Sequence, residues 1–338
     1  MLVREGDPDG NPWGVKFMTM FHMSNDSHLF RTREDLEADG WYLDGNVFIY
    51  GEGEMLPLYE AKMLDSFDHR AADVVTSATA TKRQNQPSYL SDEDHENGER
   101  VSIPKYWVPL GQVEPQRRWL LSFSRVTSTT NNRTFVSAGL PYSAAGDSIF
   151  LVDTCDAIVA SHLLAVFNSF VFDYVARQKV AGLNLNFFYV KQLPVLAREV
   201  HTGPALWNRG TQLRDWVADR VLEMCFTAWD MVSFAEDIGD DGAPFKWEIG
   251  RRALLRAELD AAIFHLYGVD MDEVEHIMGT FPIVKRKDEE KYGEYRTKRL
   301  ILEVYDRMAE AIRTGQPYQT ILDPPPGQGP RHPARQGG

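Results

Sequence analysis

The sequence is short of cysteine, of charge-free apolar stretches and of the compact motifs that mark many enzymes. Two cysteines, Cys155 and Cys225, in 338 residues do not make a disulfide framework, and a reducing cytoplasm is the default compartment. No apolar run reaches the roughly 18 residues needed to span a bilayer. The nearest, residues 158–176, carries His162, Asn168 and Asp173, so no membrane partner is expected. The N-terminus, Met-Leu-Val-Arg-Glu-Gly-Asp-Pro, is too polar for a signal peptide. Gly-x-Ser-x-Gly and Walker patterns are missing, which leaves nucleophile-elbow and nucleotide-loop hypotheses without support. Nine histidines are scattered and none pairs with a cysteine or histidine at zinc spacing. His265 and His276, eleven apart across a turn, are read as ordinary hydrogen-bonded side chains. No metal ligands are expected. No internal repeat is found.

What is present is ordinary globular composition: 43% hydrophobic, 25% charged and 12% aromatic, enough for an ample core in one large domain or two modest ones. The formal charge is −13, which argues against a surface coated in phosphate contacts. The acidity is segregated, however. Residues 91–99 and 230–242 each hold five acids and no base, whereas 112–140 has four arginines against one acid and 281–299 has seven bases against four acids.

Along the chain, residues 1–12 read as a loop, as if inside a longer polypeptide. Residues 46–50 and 55–59 are strand-like around the turn Gly51-Glu-Gly53-Glu54, and 76–99 is polar enough for a surface loop or mobile insertion. Short β-type runs follow at 106–108, 119–126, 134–138 and 148–152. Apolar spacing then predicts one long buried helix over 157–180. Amphipathic helices are expected over 211–234, 249–267 (with Arg251, Arg252 and Arg256 on its outer side) and 295–313. A short helix at 270–278 should be N-capped by Asp270. The Pro/Gly-rich end from Asp323 is expected to be disordered. The fold class is thus α+β, a β-rich lobe followed by a helical C-terminal region. The divisions expected are a lead-in segment 1–75, a β-rich domain 76–200, a helical region 201–322 and a tail 323–338.

Four kinds of site bear on chemistry: methyl transfer, metal-dependent cleavage, metal binding and nucleic-acid contact. Gly51-x-Gly53 follows a strand, but Met55-Leu-Pro-Leu-Tyr59 comes next instead of a helix, so a hairpin turn is preferred to a methyl-donor loop. Asp323-Pro-Pro-Pro326 lacks the aromatic that stacks on a flipped base. Asp44 with Glu60-Ala-Lys62 fits a loose metal-dependent nuclease pattern, yet Glu289-Glu-Lys291 satisfies it equally, and a structural ion pair is favoured. In Asp68-His-Arg70, adjacent residues point different ways on regular structure, so ordinary side-chain bonding is favoured there too. The fourth is a run of hydroxyls and amides, Arg125-Val-Thr-Ser-Thr-Thr-Asn-Asn-Arg-Thr134, framed by two arginines. A second polar island comprises Arg177-Gln-Lys179, Gly182-Leu-Asn-Leu-Asn186 and Lys191. Ser, Thr and Asn suit phosphate oxygens, and Arg and Asn can read guanine and adenine edges. The alternative is a surface loop with side-chain-capped turns.

Several runs resemble a known family. Met55-Leu-Pro-Leu-Tyr-Glu-Ala-Lys-Met63 with Phe67-Asp-His-Arg70 is similar to a signature of large adenine-specific DNA methylases, the type IIG-like restriction–modification enzymes and the methylases of BREX and DISARM phage-defence systems. Pro104-Lys-Tyr-Trp-Val-Pro109, Thr129-Thr-Asn-Asn-Arg-Thr134, the 168–180 run, Leu185-Asn-Phe-Phe188 with Gln192-Leu-Pro194, Thr280-Phe-Pro-Ile-Val284 and Tyr292-Gly-Glu-Tyr-Arg-Thr-Lys-Arg299 continue it in the family's order. Asn132 and Ala61 depart from the family's usual Glu and Gly.

The resemblance maps to the family's C-terminal target-recognition part. It implies a specificity module that positions double-stranded DNA while a methylase core flips and methylates one adenine at N6. That core would supply S-adenosylmethionine binding and the catalytic loop. In this sequence no catalytic residue and no cofactor site is expected. The expected DNA-contacting residues are Arg125, Thr129, Asn131, Arg133, Lys179, Asn184, Asn186 and Lys191, and the expected partners are duplex DNA and a methylase core. The C-terminal helices are expected to need a partner for their apolar faces. The alternatives are an assembly subunit of a defence complex that does not touch DNA, and a Mg-dependent nuclease.

Overall fold

Strands 119–124 and 149–153 bury both of their faces, which makes their sheet a central layer. A computed structural model of the chain describes residues 1–77, 85–113, 118–127, 131–154, 156–180 and 182–335. The fold is α+β. Strands Lys16–Met18, Ile149–Asp153, Trp119–Ser124 and Ser137–Pro141 form an antiparallel sheet in that order. Phe150 lies opposite Phe123, and Val152 opposite Leu121. These side chains, with Trp119, join the helical core. Ile149, Leu151, Ala138 and Leu140 point the other way onto Tyr59, Met63 and Val74. The alternation of one strand thereby splits its residues between two cores.

The second sheet is built on Gly53–Tyr59, which pairs with Val47–Tyr50, Trp107–Pro109 and, in parallel, Ala144–Ala145. The turn at Gly51 is a hairpin, with Tyr50 opposite Gly53. Gly51 has a φ of 59°, a conformation that costs glycine little. Residues 78–84 of the polar stretch 76–99 lie outside the described residues, and the rest is more structured than its polarity suggests. Asn85–Tyr89 pairs with Ala72–Thr76, and Ser91 caps a short helix, Asp92–Glu96.

The helical layer covers the outer face of the central sheet. The helix expected over 157–180 is two, Ala157–Phe167 and Phe170–Lys179, bent by 67°. The break has a local cause. Asn168 donates to the Ser137 carbonyl and accepts from the Ser137 N–H, clamping the chain to the sheet, and Ser169 N-caps the second helix. The pair is apolar enough to resemble a broken membrane span, but it is buried in the core. No single helix among the described residues is long and apolar enough to cross a membrane. The 211–234 expectation likewise resolves into Leu213–Cys225 and Val232–Ile238. Asp270 caps Met271–Gly279 as expected, and Pro282–Tyr292 is an additional helix with Pro at its first turn.

Ile249–Leu266 and Arg296–Thr314 pack along each other, burying Leu255, Leu259, Ile301, Val304 and Met308 in the same core as the central sheet. The apolar faces expected to seek a partner are therefore covered within the chain. Arg251, read as facing outward, is turned inward. It pairs with Glu223 and donates to the Pro324 and Pro325 carbonyls. Those contacts also account for the tail. Residues 323–335, expected to be disordered, lie against the helices. The Gly327 N–H donates to Glu223, the Lys246 N–H to the Pro330 carbonyl, and Arg331 to Asp240 at 2.5 Å. Gly329 fits closely in this docking: a Cβ there would meet the side-chain ends of Glu223 and Arg251, which would have to shift.

Candidate nucleic-acid interface

The two polar islands meet through the backbone. The Leu185 N–H donates to the Arg125 carbonyl at 2.8 Å, and the Thr127 N–H to the Leu183 carbonyl at 2.9 Å. Residues 125–127 and 183–185 thus form a short ladder at the edge of the molecule. Three apolar side chains stand out from it and from the adjoining helix Phe187–Lys191: Val126 (56% exposed), Leu183 (64%) and Phe188 (65%). Asn184 and Asn186 are exposed beside them, and Lys179 is exposed at the end of Phe170–Lys179. A cation at a helix C-terminus sits favourably against the helix dipole. Exposed amides, a lysine and prominent apolar side chains on one edge suit contact with a macromolecule.

The other expected contacts divide. Arg125 is one-third exposed. Its guanidinium reaches the Asp147 carbonyl at 3.2 Å and lies over the Phe150 ring at 5.5 Å. Lys191 is paired with Glu5 at 2.5 Å. Asn131 is exposed, and its carbonyl accepts from Arg177. Thr129 lies outside the described residues. Arg133 does not face outward. Its Nε donates to Asp173 at 2.5 Å, and its Nη2 donates to the Asn168 and Ser169 carbonyls. The guanidinium also stacks on Phe170 at 4.2 Å. Its Nε and Nη2 are thus both used inside the protein.

Asp173, fully buried, is the hub that sequence reasoning overlooked. It accepts from the Thr134 and Phe135 N–H groups as well as from Arg133, and Arg177 lies 3.6 Å away. An acid within the apolar run Phe170–Ala176 was the available signal, since a buried carboxylate requires cationic or N–H partners.

The Phe67-Asp-His-Arg70 signature has a structural basis. Arg70, fully buried, donates to the carbonyls of His95, Asn97, Arg100 and Thr227. His69 bonds Asp230 at 3.0 Å and Asp68 bonds His95 at 3.1 Å. Burial favours the neutral Asp68 carboxyl, but the His95 hydrogen bond and the charges of His95, Arg252 and His69 outweigh it and hold the group at about 2. The three residues tie segment 95–100 to residues 227–230, between helices Leu213–Cys225 and Val232–Ile238. Glu60 pairs with Lys62 at 3.0 Å, and Lys62 also donates to the Asn85 carbonyl.

Comparison with protein-family models and with curated proteins gives no match for this chain.

Proposed function

We propose that this chain is the DNA sequence-recognition portion of an adenine-specific N6 DNA methyltransferase of a restriction–modification or phage-defence system. In this reading it works in the cytoplasm and presents duplex DNA to a methylase core that binds S-adenosylmethionine and carries out the transfer. The observation that carries the reading is the exposed edge at 125–127 and 183–188. There the two polar islands are joined, and Asn184, Asn186, Phe188 and the nearby-in-sequence Lys179 are all exposed. Asparagine can read adenine edges, lysine can hold phosphate, and an exposed aromatic can lie against a groove or an unstacked base. The family resemblance of the 55–70 and 168–194 runs points the same way. Arg133 is withdrawn from the contact set because its Nε and Nη2 are used internally and its side chain is nearly buried. With net charge −13, the methylase core is assigned much of the counterion-releasing basic surface.

Binding of a random duplex pool across a salt series, with sequencing of the retained fraction, tests this. One enriched motif is expected, and failure to retain any duplex at the lowest salt would sink the reading. The second reading, an assembly subunit that does not touch DNA, is favoured by the apolar trio Val126, Leu183 and Phe188. The basic stretch 285–299 supports it less, because its charges are largely paired, Lys285 with Glu289, Arg286 with Glu290, and Arg299 with Glu294 and Glu303.

A further inference from the structure

A cleft of about 440 Å³ lies between the turn at 65–68, the start of Phe170–Lys179, and helices Ile249–Leu266, Pro282–Tyr292 and Arg296–Thr314. Arg252 and Arg256, one helical turn apart, both line it. Neither forms an ion pair with any described residue. Arg252 is 6% exposed; its Nη1 donates to the Met224 carbonyl, its plane stacks on Trp247 at 3.5 Å, and its Nη2 has no partner. Arg256 donates through Nη2 to the Ser66 carbonyl at 2.6 Å, and its Nε has no partner. The Ser66 hydroxyl and the Asn132 amide oxygen, on the same cleft, are also buried without partners. Buried polar groups are satisfied almost everywhere in proteins, so four orphans around one cleft point to a missing ligand.

The sign of that ligand follows from the charges. Burial, and next the Arg256 charge, lower the proton affinity of Arg252 to about 9, more than the charge of Asp68 offsets. No carboxylate of the cleft forms an ion pair with either arginine among the described residues. Asp65 accepts from the Ser66 N–H, Asp68 from His95, Asp260 from the Phe170 N–H and Asp288 from the Thr297 N–H. Asp92 is exposed in the first turn of its own helix. Burial also lifts the Asp260 carboxyl to about 6, which weakens it as a counter-ion. Contrast Arg251 and Arg220, equally buried, each of which has its own glutamate. Lys287, Lys291 and Arg296 add cations along the rim. Phe67, between Ser66 and Asp68, has a φ of 59°, the only positive value at a non-glycine among the described residues. Such strain gathers at ligand clamps.

We infer that this cleft binds a small phosphate ester, its oxyanion held by the fork of Arg252 and Arg256 with the Ser66 hydroxyl. Paired guanidinium groups match phosphate oxygens in geometry and charge. A duplex is excluded as the source, since its phosphates lie on a rod too wide to bring them to an arginine this buried. The inference does not depend on the DNA-recognition reading.

Calorimetric titration of the 338-residue chain with inorganic phosphate and with AMP tests the inference, a short duplex being added in a separate arm. Saturable binding of AMP or phosphate is expected, weakened at least about tenfold by Arg256→Gln and unmoved by the duplex. Loss of Arg252 can unfold the chain, so Arg256→Gln and Arg296→Gln carry the test, each checked for an unchanged circular dichroism spectrum. No binding of either small probe, binding indifferent to Arg256→Gln, or binding of the duplex alone in an Arg256-dependent way would each overturn the inference. A failed DNA selection would leave it standing.

Discussion

The polar run 125–134 has an arginine at each end, and the two ends do opposite things. Arg125 sits on an exposed ladder, one-third open to solvent, with a loose 3.7 Å approach to Asp147. Arg133 sits over a fully buried aspartate at 2.5 Å and two helix-end carbonyls. Residue type alone cannot separate them; the partner forty residues away does. The difference teaches that a polar loop on an α+β scaffold can be half anchor and half surface. The anchor fixes where the surface points.

The strongest way to break this comparison is to cut the anchor. Arg133→Ala removes the closest cation from the buried Asp173, leaving it Arg177 at 3.6 Å and two N–H donors, which should cost about 1.5–3 kcal/mol. Denaturant unfolding reads it, and a loss under about 0.5 kcal/mol would show that the knot is not structural. Arg133→Lys should rescue little, because a lysine cannot reproduce the fork.

A pH scan comes next. His162 is buried in the helical layer, stacked on Trp13 at 5.1 Å, with both ring nitrogens unpartnered. Burial, then the neighbouring His201, lower it to about 3. Its folded value lies below its unfolded value, so the unfolded chain takes up the proton first. Stability is therefore unaffected above about pH 6.5 and falls as pH drops below it, by roughly 1.4 kcal/mol per unit. In His162→Leu that part of the slope should vanish; an identical slope would assign it to other groups.

The tail offers a smaller effect. Arg331→Ala removes the Asp240 pair and the Phe245 stacking at 3.8 Å, and should cost about 1–2 kcal/mol with faster proteolysis of 323–335. Unchanged cleavage would mean that the backbone contacts suffice.

The smallest stability effects belong to the exposed edge. Lys179→Ala and Asn184→Ala should each stay within about 0.5 kcal/mol of the parent, while Lys179→Ala should lower duplex affinity and reduce the salt slope by about 1.

Much of the fold was legible. Short β-type runs between turns marked the central strands, the glycines at 51 and 53 the hairpin, Asp270 its cap, and the 3.6-residue spacing the helix Ile249–Leu266. The failures share a cause. Arg133, Arg251 and the 168–169 break are set by partners distant in sequence: Asp173, Glu223 and Ser137. The tail has no periodicity to read, because it docks through backbone groups and one close-fitting glycine. Of the candidate site, Asn184 on the ladder and Asn186 just after it are exposed, as the polar pattern suggested. Neither the apolar prominence of Phe188 nor the buried arginine cleft left a sequence signal, since both depend on which face of a helix meets solvent.

The most direct measurement is duplex affinity for the Lys179→Ala/Asn184→Ala double variant against the parent chain over a salt series, at matched thermal stability. The account predicts a loss of at least about tenfold at low salt with folding intact. Equal affinity in a folded double variant would contradict the assignment of this edge as the surface that meets DNA.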